Sequence, residues 1–218
     1  MQPTNAPTRK YFLAVAGNIG VGKSTLTARL AERLHMEPFF EAVADNPYLA
    51  DFYADMPRWA FHSQIFFLSR RLQHHRQILD HPTSAIQDRC VYEDAEIFAR
   101  NLYEQGAMSA RDYQAYHELY QAVVAFMPPP TLIVYLRASV DTLLERIKRR
   151  GREFERAISR DYLERLNLLY EEWIATFTHC PVLTIDADAI DFVAEPKHIE
   201  TIATAIEEAL GVKTPNQV

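Results

Sequence analysis

The run Gly17-Asn18-Ile19-Gly20-Val21-Gly22-Lys23-Ser24-Thr25 has the residue types and spacing to hold phosphate. Its core, Gly17-x4-Gly22-Lys23-Ser24, is the phosphate-loop pattern. Glycines let successive backbone N–H groups converge on phosphate oxygens, and the helix that follows adds its positive N-terminal end. Lys23 has the reach for the outer phosphates, and the Ser24 hydroxyl suits Mg²⁺. A nucleotide is implied, but not its reaction. A signalling GTPase would add a DxxG turn, and none of the six glycines has Asp three residues before it. A phosphotransferase or an ATPase remains.

Three further groups could serve an acceptor. Glu41 closes a candidate strand, where open α/β sheets place ligand-binding groups. Gln64 and Arg71 stand seven residues apart, two turns along one helical face. Asp88 and Arg89 end another strand, with Asp94 and Phe98 one turn apart on the next helix. Arg146 to Arg160 then gathers six arginines and one lysine around Gly151. Alone, that run would read as a solvated basic face; beside a phosphate loop it reads as a cover for bound phosphates. Phe98 alone would read as core and Trp59 as packing, while His74, His75 and Cys90 have no partners at metal-ligand spacing.

The elements that must position these groups follow from hydrophobic pattern. Short apolar runs, "YFLAVA", "MEPFFEAV", the start of "TSAIQDRCVYED", "TLIVYLRA" and "PVLTIDA", predict five strands. Helices are predicted over 24–34, 59–79, 95–103, 110–127, 140–149, 160–177 and about 196–210, the fourth of these stopped by Pro128 to Pro130. Strands alternating with helices give an α/β chain: a three-layer sandwich on a five-stranded parallel sheet, the P-loop NTPase architecture. One domain over 11–212 is expected, with tails at 1–10 and 213–218. The 218 residues, 48% of them apolar, suffice for a real core. A net charge of −6 argues against a nucleic-acid partner. Two cysteines without a CxxC pair, no signal-peptide pattern and no long apolar run predict a reduced, cytoplasmic protein with no membrane partner.

Taken together, "GNIGVGKST", "DR-x4-D-x2-IFA", "YLRAS-x6-R-x3-RGR-x2-E", "YLERLNLLYEEW" and "IDAD" resemble the deoxyribonucleoside kinases over nearly the whole chain. The resemblance implies ATP as phosphate donor, Mg²⁺, a deoxynucleoside acceptor and a homodimer. It implies Glu41 as general base on the 5′-hydroxyl, and Arg89 and Lys23 as catalytic cations. Gln64 would read the base edge, Arg71 and Asp94 would sit over the base, and Phe98 would stack on it. Tyr53 and Glu155 would hold the sugar 3′-hydroxyl. Ser24 and Asp88 would hold the metal. Arg146, Arg150 and Arg152, in a helical lid at about 146–160, would close over ATP, with Asp191 and Phe192 near its adenine.

Five positions depart from the family pattern: Ala42, Asn46, Ser63, Cys90, and Asp88, which takes the place of a glutamate and bears on metal geometry. Asn46 and Ser63 bear on the choice of base. The Arg71–Asp94 pair leans toward purines or cytidine. Two other readings share these motifs: a nucleoside monophosphate kinase such as a thymidylate kinase, and an ATP-binding sensor without turnover. The first would need an arginine-rich pocket near Glu41, which "EAVADNPYL" lacks.

Overall fold

A computed structural model describes residues 9–41, 45–153, 155, 158–192 and 195–212. Ala42, the tail at 1–8, most of the stretch 154–157 and residues 213–218 lie outside the described residues. Five parallel strands, β1 (Phe12–Gly17), β2 (Glu37–Phe39), β3 (Ala85–Asp88), β4 (Leu132–Arg137) and β5 (Val182–Asp186), lie side by side in the order β2-β3-β1-β4-β5. β1 is central and buried throughout, as the unbroken run FLAVAG requires of a strand covered on both faces.

Alternate residues of β1 feed two cores. Leu13 and Val15 pack with Leu26 and Leu30 of α1 (Lys23–Leu34) and with Ile202 and Ile206 of α9 (Pro196–Ala209). Ala14 and Ala16 face the larger core, which holds Leu68 of α3 (Met56–Asp80), Tyr116 of α6 (Ala110–Val124) and Tyr170 of α8 (Arg160–Thr176). Alanines at those two positions let the helical layer approach the central strand closely.

α3 starts three residues earlier than predicted. The Asp55 carboxylate accepts from the Arg58 N–H at 3.3 Å, and Pro57 fits the first turn, where no N–H is needed. A short helix, α2 (Leu49–Ala54), was not expected from the sequence. The helical stretch after β3 is broken in kind: α4 (Val91–Glu93) runs into a π-helical turn over Asp94–Ala99 and then α5 (Arg100–Glu104). α7 (Val140–Arg150) carries Arg146 and ends at Gly151, so the first lid arginines project from a regular helix. Lys10, at the edge of the expected N-terminal tail, donates to the carbonyls of Ile78 and Leu79 at 2.6 and 2.8 Å.

Candidate active site

The carboxyl ends of β1 and β3 open into one cavity of about 610 Å³. Its floor is the loop from Ile19 to Thr25, and its walls come from α2, α3, the π turn and α7. Two glycines there are steric requirements. Gly22 has φ 106°, and a Cβ on it would lie 2.8 Å from Phe192 Cζ. Gly20 has φ 86°, and a Cβ would lie 2.7 Å from Ile147 Cγ1. The loop is therefore clamped between Phe192 and α7, and α1 begins at Lys23 with its N–H groups toward the cavity.

Lys23 is buried and donates to the Asn18 carbonyl at 3.0 Å. Burial, then Arg89, lowers its pKa to about 8 against the pull of Asp88, Glu41 and Glu93. Asn18, expected among the ATP-binding residues, does not line the cavity. Its amide donates to the Leu163 carbonyl and to Asn167 Oδ1 at 3.0 and 2.7 Å, so the side chain fixes the loop to α8. Gly17 likewise lies beneath the wall, at the end of β1.

Glu41 lies two residues beyond β2 and lines the cavity. Its Oε1 meets Arg89 Nε at 2.9 Å and Arg71 Nη2 at 3.0 Å. Burial pushes this carboxyl up, but Arg89, Arg71 and Lys23 outweigh it and hold the pKa at about 2. Arg89 has a left-handed backbone, φ 67°, and its guanidinium stands 4.4 Å over the Phe98 ring. Phe98 lines the cavity and thus supports Arg89 as well.

Arg71 is placed differently from the expectation that it sits over the base. It is 3% exposed and not part of the cavity wall. It reaches the site through others: Nε donates to Asp94 Oδ2 at 3.0 Å, Nη2 to Glu41, and Nη1 to the carbonyls of Asp88 and Arg89 at 2.8 and 2.9 Å. Asp94 does line the cavity, and burial pushes its carboxyl up despite Arg71. Gln64 also lines it, nearly buried, with Oε1 lacking any hydrogen-bond partner. The two departures Asn46 and Ser63 form one unit beside it, Asn46 Nδ2 donating to Ser63 Oγ at 3.1 Å.

Tyr53 and Glu155 share the same cavity. Burial raises the Tyr53 hydroxyl's pKa, keeping it a neutral donor. Glu155, 4% exposed, is gripped by Arg150 at 2.5 Å and approached by Arg152 at 3.4 Å. These two lid arginines are thus tied to the expected sugar-binding carboxylate. Arg146 instead donates to the carbonyls of Val21 and Ala187, each at 2.7 Å, stapling the phosphate loop to the end of β5. Asp191 lines the cavity, and Phe192 is buried against Gly22.

The two residues expected to hold the metal lie together. Ser24 Oγ donates to Asp88 Oδ2 at 2.5 Å, and Asp88 Oδ1 is buried with no partner. Burial raises the Asp88 pKa, a cost that a cation would relieve. No cluster of three or more His, Cys, Asp or Glu able to hold a metal occurs among the described residues, and no helix among them is long and apolar enough to cross a membrane. A hard cation held by few protein oxygens and completed by phosphate is the Mg²⁺ habit.

Sequence reasoning missed Glu93 and Tyr170, both buried just below the cavity. The signal for Glu93 was its place three residues after Cys90. That is capping-box spacing, and the box forms, with Cys in the usual Ser or Thr position.

A family model described as deoxynucleoside kinase matches residues 13–211. The chain is 41% identical to the deoxyadenosine/deoxycytidine kinase of Bacillus subtilis (strain 168), over 93% of this chain and 94% of that one. It is 34% identical to the deoxyguanosine kinase of the same strain, over 91% and 97%. A deoxyadenosine kinase from M. mycoides with bound dATP superposes with TM-score 0.80 at 33% identity, over 90% of this chain and 99% of that one. The same enzyme with dCMP and a flexible dCDP gives TM-score 0.79.

Proposed function

This chain belongs to the deoxynucleoside kinase family, and from that premise we propose that it transfers the γ-phosphoryl group of ATP to the 5′-hydroxyl of deoxyadenosine, deoxyguanosine or deoxycytidine. The product monophosphate serves nucleotide salvage. The observation that carries the reading is the single cavity in which the loop bearing Lys23, the Arg89–Glu41 pair and the unpartnered Gln64 carbonyl oxygen all converge.

The acceptor's base lies between Phe98 and the Gln64 amide, which presents both a donor and an acceptor to a base edge. Asp94 completes that edge, held by Arg71 from behind. Tyr53 and Glu155 take the sugar 3′-hydroxyl and leave no room for a 2′-hydroxyl, which favours deoxyribose. The 5′-oxygen attacks the γ-phosphorus, the bond to the β–γ bridging oxygen breaks, and the 5′-proton passes to Glu41. With a pKa near 2 in the free protein, Glu41 accepts that proton only late. A loose transition state asks for no more, because phosphoryl transfer depends chiefly on positioning and charge neutralisation. Lys23 and Arg89 supply positive charge to the β and γ groups. Ser24 and Asp88 would hold Mg²⁺, which when bound neutralises phosphate charge. The homodimer implied by the sequence would form on helical faces away from the cavity.

Turnover with Mg-ATP against four deoxynucleosides, their ribose counterparts and their monophosphates tests this. Phosphorylation of purine deoxynucleosides or deoxycytidine is expected. Transfer only to monophosphates would remove Glu41 from its role, and bound ATP without transfer to any acceptor would favour a sensor.

A further inference from the structure

Glu93 is fully buried, yet nothing about packing calls for a carboxylate there. Its Oε1 accepts from the Gly17 N–H at 3.1 Å and from Arg89 Nη1 at 3.2 Å, and its Oε2 accepts from the Cys90 N–H at 2.9 Å. The Tyr170 hydroxyl accepts from Arg89 Nη1 at 2.8 Å. Its one proton can go to Glu93 Oε1 or to the Gly17 carbonyl, each 2.8 Å away. Two side chains therefore bind both backbone groups of the phosphate loop's first residue and one edge of Arg89. Neither lines the cavity. Burying a charge is costly unless every lone pair is used, and here donors converge from four residues. Arg89 also keeps a left-handed backbone, a conformation that persists in a non-glycine residue only where its surroundings over-determine it.

We propose that Glu93 and Tyr170 are positioning residues that lock Arg89 to Gly17, so that the loop holding the donor also sets the guanidinium meant for the transferring group. This rests on the role given to Arg89 above. Glu41 holds Arg89 from Nε; Glu93 and Tyr170 hold it from Nη1. With both edges fixed, the guanidinium is aimed by the loop rather than by substrate. Such aiming is realised in the transition state, so its loss lowers kcat and kcat/KM together and leaves acceptor KM nearly unchanged.

The test is steady-state kinetics of Glu93→Gln, Tyr170→Phe, Arg89→Lys and the Glu93→Gln/Arg89→Lys double variant. Glutamine keeps the shape but turns an NH₂ toward one of the N–H donors. Phenylalanine keeps the packing of Tyr170 on Tyr135 and removes only the hydroxyl. Glu93→Gln is expected to lower kcat about 10- to 100-fold and Tyr170→Phe about 3- to 10-fold, with acceptor KM within about threefold. In the Arg89→Lys background, Glu93→Gln should cost less than about twofold more. A full independent loss in that background, or parental kcat in both single variants, overturns the proposal. Should Glu93→Gln fail to fold, Tyr170→Phe alone decides between these outcomes. Parental kcat in Arg89→Lys overturns the role of Arg89 itself, and is distinguished from failure of the positioning pair because there Arg89→Lys is impaired while Glu93→Gln and Tyr170→Phe are not.

Discussion

Lys23 is nearly buried beside Arg89, and both burial and that neighbour oppose its ammonium charge, which puts its pKa at about 8 rather than 10.5. The folded state therefore bears a cost that is full below pH 8 and is relieved as pH rises from about 8 toward 10.5. A triphosphate reverses the balance by bringing negative charge to the amine. ATP binding at pH 8 should thus take up about half a proton per site. Titration calorimetry in two buffers of different ionisation enthalpy measures this, and Lys23→Met should abolish the buffer dependence; identical heats in the parent would contradict it. Glu41 has the opposite sign. Its pKa of about 2 lies below the ordinary 4.5, so its pairing with Arg89 and Arg71 stabilises the fold fully above pH 4.5 and is lost as pH falls through 2. Removing an active-site carboxylate often stabilises a protein, but here it takes one of two carboxylate partners from each of two buried guanidiniums, leaving Arg71 with Asp94 and Arg89 with Glu93. Glu41→Gln should lower kcat by about 10²–10⁴ and also lower Tm at pH 7, with the Tm difference narrowing as pH drops below 4. A higher Tm at pH 7 would refute the pairing argument. Lys23→Ala and Arg89→Ala should lose at least as much rate as Glu41→Gln, since charge delivered to the phosphoryl group is worth about 10³–10⁵ in related systems.

At the scale of elements, the π turn over Asp94–Ala99 decides which side chains face the acceptor. A widened turn absorbs one residue more than an α-helix would, and such bulges favour functional sites. It lets Asp94 meet Arg71 while Phe98, four residues on, still lies under Arg89. Deleting Glu96 should restore regular helix and rotate one of the two out of place by about 100°. Acceptor KM should then rise more than about tenfold while ATP affinity stays within about threefold; equal loss of both would mean the turn serves general folding. No residue type marks this turn, and its six residues are too few for their period to separate a π turn from an α-helix, so it is invisible in the sequence. The neighbouring elements are readable for definite reasons. A strand buried on both faces gives the unbroken run before Gly17, and α3 is regular over the 25 residues that carry Gln64 and Arg71. Their spacing correctly predicts a shared face, yet not that Arg71 lies behind the wall, since depth depends on the helices packed above. α2, six residues long, leaves too short a period to detect. Glu93 is concealed by the cysteine in its cap, which makes the spacing look accidental.

For the whole molecule, the strand order β2-β3-β1-β4-β5 makes the two edges of β1 the place where the chain changes direction of travel across the sheet, and the cavity opens there. The surface carries a face suited to a second copy. α6 buries Tyr116 and Tyr120, while Leu119 is 44% exposed and Phe126, just past its end, is 90% exposed. Large apolar side chains gathered on one outer face favour association. Sedimentation equilibrium at micromolar concentration should give a mass twice the 25.2 kDa of one chain. The pair Leu119→Asp and Phe126→Asp, placing like charges across the two-fold, should halve that mass and leave kcat per chain within about threefold, because no cavity residue is touched. A parental monomer, or a dimer indifferent to both aspartates, would assign this face to solvent.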